Sequence, residues 1–208
     1  TTVAYSIKGE VHYAIEGSIY SCGNIIKWLR DKMHFFDTAK ESENFLNTNG
    51  NTNNVLFLPA FNGLGAPFWD SDVRGGFYGI TQDSSIEDMV TAAFQAITFQ
   101  TKEITSILEK YDIEISKLLV DGGMVENNSF CQALADTLNK EILQPENVES
   151  TAIGACKVCM MASGIDINSL NNSKIKSFKP AQTQIETYAR NYENWQLYVS
   201  NSLEINSE

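Results

Sequence analysis

Two adjacent glycines, Gly122 and Gly123, stand where a short apolar run ends and a helical pattern begins. Glycine accepts a positive φ and lets a ligand approach the backbone closely. The helix that begins near Asn127 is expected to direct its free N–H groups, and the positive end of its dipole, at whatever lies above this turn. The pattern suits a ligand that carries phosphate, but a tight connection without a ligand has the same pattern.

A second candidate is the long segment at 59–76, which contains two prolines and four glycines. Loops of this length inside a compact domain are usually functional or disordered. Its aromatic residues Phe61, Phe68 and Trp69 argue against disorder. The loop either packs its own aromatic side chains to brace a sheet or forms a wall of an active cleft.

Two further segments have weaker signals. Residues 76–82 form either a plain strand–loop–helix connection or a second loop that faces a ligand, because ligands of α/β sheets bind beyond the carboxyl ends of strands. Residues 149–155 open a helix and include the small residues Ala152, Gly154 and Ala155. These permit close packing on a sheet, and a contribution to an adenine pocket is the alternative.

The hydrophobic periodicity predicts the elements that must position these segments. Strands are expected at 3–7, 11–15, 55–58, 77–80, 118–120 and 141–143, and helices at 19–33, 84–108, 127–138, 151–162 and 185–203. A capping box is expected at Ser84 and Glu87, and 163–184 is expected to be a polar connection. The alternation predicts one α/β domain over 1–208, with a mixed sheet flanked by helices.

The last predicted helix has an apolar stripe that ends at Val199 and includes Tyr188 and Trp195. Such a stripe can form a seam for another helix or pack onto its own domain. The sequence leaves both interpretations open.

Composition excludes several classes of function. Hydrophobic residues make up 43% and charged residues 20%, as in a globular domain, and the net charge of −11 argues against nucleic acid as a partner. No apolar run approaches the length of about 18 residues that spans a bilayer. The Cys156-x-x-Cys159 pair lacks a second pair for zinc, so both cysteines are expected to be buried and reduced. These features predict a cytoplasmic protein without a membrane partner.

Taken together, the segments resemble the carboxy-terminal domain of the FGGY carbohydrate kinase family, which includes glycerol, gluconate and xylulose kinases. The likeness is strongest to the glycerol kinase branch at 59–75, 14–18, 26–31 and 120–128, and it covers nearly all of 1–200. It implies an actin-like ATPase fold of the ribonuclease-H-like type. It also implies ATP and Mg²⁺ as cofactors and glycerol or a related polyol as the acceptor.

The resemblance also implies a set of ATP-binding residues. Gly123 and Asn127 would contact the adenosine portion of ATP, Gly122 would complete the turn, and Asp83 and Glu87 would lie beside the nucleotide. The family usually has glycine at the position of Asp83 and often Asn, Gln or Lys at that of Glu87. Two carboxylates facing polyphosphate would repel it, unless both side chains point to solvent.

In the family, the catalytic aspartate, the phosphate loop and the polyol-binding residues lie upstream of the matched region. We therefore nominate no catalytic and no metal-binding residue, and we expect the chain alone to transfer no phosphate. The alternatives are a non-catalytic interaction or regulatory domain and a domain of a sister sugar kinase. The sheet edge at Val3–Ile7 is expected to be open, which leaves assembly into a homo-oligomer open.

Overall fold

The computed structural model describes residues 1–47, 49–146, 149–167 and 174–205. Over these residues the regular elements are, in chain order, β1 (Thr2–Ile7), β2 (Glu10–Ala14), α1 (Cys22–Asp31), β3 (Leu56–Leu58), β4 (Gly76–Tyr78), α2 (Ile86–Lys110), β5 (Lys117–Leu119), α3 (Asn128–Leu138), β6 (Glu141–Pro145), α4 (Ser150–Ala162), β7 (Ile175–Phe178) and α5 (Gln182–Ile205). Two 3₁₀ segments, Ala39–Phe45 and Gly123–Glu126, connect them.

The strands form three small sheets within the described residues. β1 pairs with β2 as an antiparallel hairpin, and β3 pairs antiparallel with β4. The third sheet is mixed, with β5 parallel to β6 and β6 antiparallel to β7. The strands expected at 3–7 and 11–15 and the expected mixed sheet are therefore confirmed, although this mixed sheet has three strands.

β7 corrects the expectation that 163–184 is only a polar connection. Its sequence places Lys176 and Ser177 between Ile175 and Phe178, so it has the polarity of a loop. Only Phe178 is buried, because β7 lies at the edge of its sheet and gains its backbone pairing from β6. A strand with only one buried residue lacks the alternation of apolar and polar residues by which strands are predicted from sequence.

The amino-terminal cap of α2 lies one residue later than the sequence suggested. Ser85 caps the helix by accepting from Asp88 N, and the Asp88 carboxylate accepts in return from Ser85 N at 2.9 Å. Asn53 also donates to this buried carboxylate. Ser84 instead accepts from Thr81 N at 2.9 Å, which closes the preceding turn. The predicted capping box at Ser84 and Glu87 is therefore wrong in register.

α2 lies at the centre of the core, with a continuous buried segment from Val90 to Gln100. Its apolar side chains contribute to two clusters of buried residues. The first cluster includes Ile25 and Leu29 of α1, Phe94 of α2 and Ile142 of β6. The second surrounds the fully buried Trp195 of α5, whose indole N–H donates to Phe57 O at 2.9 Å.

A buried polar network fixes α5 against α2. Gln95 Nε2 donates to Gly50 O at 2.8 Å, and Asn191 Nδ2 donates to the same carbonyl at 3.0 Å. Asn191 also contacts Gln95 Oε1 at 3.1 Å. Buried polar groups are costly unless paired, so this network favours one position of α5. Tyr188, Trp195 and Val199 are buried in the second cluster, so the apolar stripe of α5 packs onto its own domain.

α4 has no buried residue. Cys156 and Cys159 on this helix are both exposed. The expectation that they are buried core cysteines is therefore wrong, because the face of α4 that carries them has no covering layer in the described residues. In the described part of the chain, no helix is both long enough and apolar enough to cross a membrane.

Candidate functional site

A crevice of about 390 Å³ opens between α1, the first 3₁₀ segment, α2 and the glycine turn. Ten residues line it: Gly23, Ile26, Lys27, Arg30, Ala39, Ser42, Phe94, Gly123, Met124 and Asn127. Its wall is apolar at Ile26, Phe94 and Met124, and cationic side chains lie on the α1 side. Apolar walls with a few polar groups are typical of small-molecule sites.

A second cavity of about 350 Å³ adjoins the first. Both cavities are lined by Ala39, Gly123 and Asn127, so they meet at the glycine turn. The second adds the charged residues Lys40, Glu43 and Glu126. The two cavities together provide an apolar compartment and a polar compartment side by side.

The glycine turn has the geometry that only glycine adopts easily. Gly122 has φ 90° and ψ 168°, and the following 3₁₀ segment begins at Gly123. A Cβ atom at either glycine would meet no atom within 4 Å. Two hydrogen bonds fix the segment after the turn: Gln144 Nε2 donates to Val125 O at 2.7 Å, and Cys131 Sγ donates to the same carbonyl at 3.2 Å.

Asn127 combines a structural role with a position in both cavity walls. Its Oδ1 accepts from Phe130 N at 2.9 Å and so caps α3. Its Nδ2 is buried and has no hydrogen-bond partner among the described residues. A buried donor without a partner costs about 1–3 kcal/mol. A ligand that accepts a hydrogen bond at this wall would remove that cost.

The beginning of α3 differs from the expectation. Asn128 N and Ser129 N donate to the carboxylate oxygen Oε1 of Glu43, at 3.1 and 3.3 Å. A carboxylate is favoured there because it complements the helix dipole. The expectation that α3 offers free N–H groups to a phosphate is therefore wrong at its first two residues, because a protein side chain already takes them.

The charges around the two cavities are mixed. Lys27, Arg30 and Lys40 are the cationic lining residues, and Glu43 and Glu126 are the anionic ones. Arg30 is partly committed to Asp31, with hydrogen bonds of 2.6 and 3.1 Å. Their hydrogen bond raises the pKa of Arg30 and lowers the pKa of Asp31. The cations on α1 therefore favour an anionic ligand on that side.

The structure does not bring Asp83 and Glu87 to the walls of these two cavities. Both side chains are exposed, Asp83 in the turn before α2 and Glu87 in its first turn. α2 reaches the crevice at Phe94, which is two helical turns, about 10 Å, beyond Glu87 on the same side of the helix. Gly122 precedes the lining residue Gly123 and is not itself a lining residue.

The other segments singled out from the sequence also lie away from these cavities. Within the long loop, Phe61 packs against Trp28 with ring centroids 5.2 Å apart, and Phe68 packs against Trp195 at 6.3 Å. The loop therefore packs its own aromatic side chains to brace the fold, which is the first of the two roles considered for it. No residue of 59–82 or 149–155 lines either cavity. Close packing of Ala152, Gly154 and Ala155 onto a sheet is not observed either, since α4 has no buried residue.

Several lining residues were not predicted. Lys27 and Arg30 lie one turn apart on the polar side of α1. Their spacing indicates that they share one face of a helix, but it does not indicate which part of the protein lies opposite that face. Phe94 is part of the core stripe of α2, where an aromatic residue signals burial rather than a site. Glu43 meets α3 from 85 residues away in sequence, and no local pattern predicts such a contact.

No group of three or more His, Cys, Asp or Glu side chains placed to hold a metal ion occurs in the described ranges.

Most of the chain matches a known protein family. Residues 1–163 match the model for the C-terminal domain of the FGGY family of carbohydrate kinases. Glycerol kinase 1 of Lactiplantibacillus plantarum is 39% identical over 204 residues, which are 96% of this chain and 40% of that protein. The chain thus spans about two fifths of the length of this relative.

Two solved structures show the likeness of fold. Plasmodium falciparum glycerol kinase with ADP has a TM-score of 0.83 and 30% identity, covering 97% of this chain and 41% of that one. Xylulose kinase from Lactobacillus acidophilus has a TM-score of 0.76 and 22% identity, covering 90% of this chain and 39% of that one. They confirm the expected fold class, an α/β domain of the actin-like ATPase type.

Proposed function

The chain belongs to the FGGY family of carbohydrate kinases, and from that premise we propose that it is the nucleotide-binding domain of a glycerol kinase. It binds ATP with Mg²⁺, and the rest of the kinase brings glycerol to the terminal phosphate to form glycerol 3-phosphate. The chain alone carries out no such transfer. The cytoplasm is the predicted location, because the protein keeps four free cysteines.

The observation that supports this proposal most strongly is the empty space above Gly123 beside the unpartnered Asn127 Nδ2. A flat ring can approach the backbone at Gly123, where a side chain would otherwise stand. Asn127 Nδ2 can donate to an acceptor of the adenosine. Gly122 makes the turn that places both residues in the cavity wall.

The charge pattern indicates how the nucleotide lies. Glu43 occupies the first N–H groups of α3, so the phosphates are not held there. Lys27 lines the first cavity and Lys40 lines the second, and both attract an anionic ligand. We therefore assign the glycine turn to the adenosine, and we place the phosphates on the side of the cavities that faces away from Glu43.

Mg²⁺ in kinases is bound largely by the phosphates of the nucleotide with one or two carboxylates, so this domain needs no dedicated set of metal ligands. When bound, the ion neutralises charge on the transferring phosphoryl group. The similarity of glycerol kinases to this chain, 39% identity in one relative, favours glycerol over a sugar as the acceptor.

A second candidate function is a non-catalytic interaction domain that binds nucleotide weakly. It is favoured by the carboxylate of Glu43 at the helix start and by the exposed carboxylates of Asp83 and Glu87 at the start of α2. Like charge near polyphosphate lowers affinity. The strength of ATP binding by this chain separates the two candidates.

The test is thermal unfolding with and without ATP and Mg²⁺. Ligand at 100 times its dissociation constant adds about 2.7 kcal/mol of stability, which for a chain of this size raises Tm by about 5–11 °C. No shift at millimolar ATP would favour the non-catalytic domain. Glycerol-dependent ATP consumption by the purified chain would show that the assignment of an incomplete enzyme is wrong.

Two matched variants locate the site. Asn127→Asp keeps the oxygen that caps α3 but replaces the buried Nδ2 donor by a charged acceptor without a partner, so it should lower stability and weaken ATP binding about tenfold or more. Asn128→Asp makes the same change one residue later, outside both cavities. Its effect on ATP binding should stay below about threefold. Equal effects of the two variants would count against the site.

A further inference from the structure

Glu43 connects two of the elements that line the proposed adenosine site. It belongs to the 3₁₀ segment Ala39–Phe45, which contributes to both cavities. Glu43 Oε1 accepts from Asn128 N at 3.1 Å and from Ser129 N at 3.3 Å. These two residues directly follow Asn127, which also lines both cavities. One carboxylate therefore ties the two elements together at the edge of the site.

The 3₁₀ segment has few other contacts that fix its position. Ser42 is its only buried residue, and the Ser42 hydroxyl donates to Ala39 O inside the same segment. The carboxy-terminal end is anchored on α2, because Asn47 N donates to Thr91 Oγ1 at 2.8 Å. Within the described residues, no hydrogen bond other than those of Glu43 joins the segment to the glycine turn or to α3. Glu43 is therefore the hydrogen-bonding contact that fixes the segment against the glycine turn.

α3 does not need Glu43 in order to begin. Asn127 already caps this helix, since its Oδ1 accepts from Phe130 N at 2.9 Å. The first amides of a helix can bind water instead of a side chain, and Asn128 is exposed. The two charge-assisted hydrogen bonds of Glu43 therefore add a connection between elements rather than a missing cap.

We propose that Glu43 is a positioning residue for the nucleotide, which fixes the width of the adenosine compartment by tying Ala39–Phe45 to the start of α3. This role rests on the proposed nucleotide site. Ala39 and Ser42 of the segment line the first cavity together with Gly123. A change in the position of the segment therefore changes the space beside the glycine turn, and Glu43 thereby determines which bases fit.

Removing Glu43 has two opposed effects, because a carboxylate near polyphosphate also repels it. Two variants separate the charge from the connection. Glu126→Ala removes a carboxylate that also lines the second cavity, but within the described residues Glu126 makes no hydrogen bond to Ala39–Phe45. Glu43→Asp keeps the charge and shortens the side chain by one methylene, so the carboxylate no longer reaches the two amides of α3.

The test is ADP binding, in the presence of Mg²⁺, by the unaltered chain and by its variants. Glu43→Ala and Glu43→Asp should each weaken binding by about tenfold, because the compartment loses its fixed width. Glu43→Gln keeps an acceptor oxygen in the same place and should stay within about threefold of the unaltered chain. Glu126→Ala should also stay within about threefold. Equal losses in Glu43→Ala and Glu126→Ala would overturn the proposal.

A second measurement distinguishes positioning from a general loss of stability. Etheno-ADP is an ADP analogue whose base carries an additional fused ring, so it probes the width of the compartment. The ratio of its dissociation constant to that of ADP should fall by about threefold or more in Glu43→Ala and stay unchanged in Glu126→Ala. General destabilisation would weaken the binding of both ligands equally. An unchanged ratio in Glu43→Ala would overturn the proposal.

Amide exchange without nucleotide tests the connection independently of the proposed function. In Glu43→Ala the amides of Asn128 and Ser129 should exchange about tenfold faster, whereas those of the buried residues 90–100 of α2 should not change. No change at Asn128 and Ser129 would overturn the positioning role. Faster exchange there in a chain that binds no ADP would refute the nucleotide site itself and leave the connection standing. Glu43→Asp supplies the same comparison if Glu43→Ala does not fold.

Discussion

Substituting alanine at Gly122 and at Gly123 tests two different requirements: the backbone conformation of the turn and the space that a ligand needs beside it. At both positions an added Cβ meets no atom within 4 Å, so neither change creates a clash in the free protein. The difference lies in the backbone. Gly122 has φ 90° and ψ 168°, a region essentially limited to glycine, whereas Gly123 begins a 3₁₀ segment with no positive φ.

The expected magnitudes follow from this difference. A side chain in the conformation of Gly122 costs about 1–3 kcal/mol, so Gly122→Ala should lower Tm by about 2–12 °C. Gly123→Ala should change stability by no more than about 1 kcal/mol, with stabilisation the expected sign, because alanine restricts the unfolded chain. Its methyl group stands in the walls of both cavities, so ATP affinity should fall.

The assay is urea or thermal unfolding of both variants, followed by ATP titration of those that fold. Gly122→Ala should mainly lower the stability of the fold, and Gly123→Ala should mainly lower the affinity for ATP. If Gly123→Ala destabilised the fold as much as Gly122→Ala, the described turn geometry would be refuted. If Gly123→Ala bound ATP like the unaltered chain, the glycine turn would not be the adenosine site.

Three further predictions concern the core and the thiols. Asp88→Asn should lower the free energy of unfolding by about 1–3 kcal/mol and make stability less sensitive to acid. Burial raises the pKa of Asp88, but hydrogen bonds lower it to a net value below its usual range. The ionised carboxylate therefore stabilises the fold above about pH 4, and this stabilisation is lost below that pH. Trp195→Ala should cost about 3–5 kcal/mol in urea unfolding. Cys156 and Cys159 should react rapidly with Ellman's reagent, whereas Cys131, whose pKa burial raises to about 11, should react only on unfolding.

Each of these predictions has a control within the chain. Leu197→Ala, on the exposed side of α5 at 64% exposure, should stay within about 0.5 kcal/mol. Glu87→Gln changes an exposed carboxylate of the same helix turn as Asp88 and should change stability by no more than about 0.5 kcal/mol. Rapid reaction of Cys131 in the native protein, or an acid profile of Asp88→Asn equal to that of the unaltered chain, would contradict the described burial and hydrogen bonds.

The sequence predicted the elements whose signals are local. The hairpin around Lys8 and Gly9, the long stripe of α2 and the start of α3 near Asn127 all depend on residues within one or two turns of each other. The register error at Ser84 is of the same kind, because Ser85 and Asp88 repeat the capping pattern one residue later. Adjacent candidates for a cap cannot be ranked without the tertiary partner, here Asn53.

The sequence could not predict features that depend on distant residues. Glu43 reaches the start of α3 across 85 residues and changes which groups a ligand can meet. The strand β7 forms because β6 offers it an edge. The exposure of Cys156 and Cys159 depends on what covers α4, which no pattern within that helix reveals. Gly123 and Asn127 were named from the resemblance, which rests on a local motif, whereas no motif named the cavity wall that α1 contributes.

The most direct test of the nucleotide site is an NMR titration of the ¹⁵N-labelled chain with ADP and Mg²⁺. We predict saturable shifts of the Gly123 and Asn127 backbone amides and of the Asn127 side-chain amide. Amides on the walls contributed by α1 should move in the same titration. Saturable shifts confined to other surfaces, such as the cavity lined by Gln144 and Lys176, or no shifts at millimolar ADP, would contradict it.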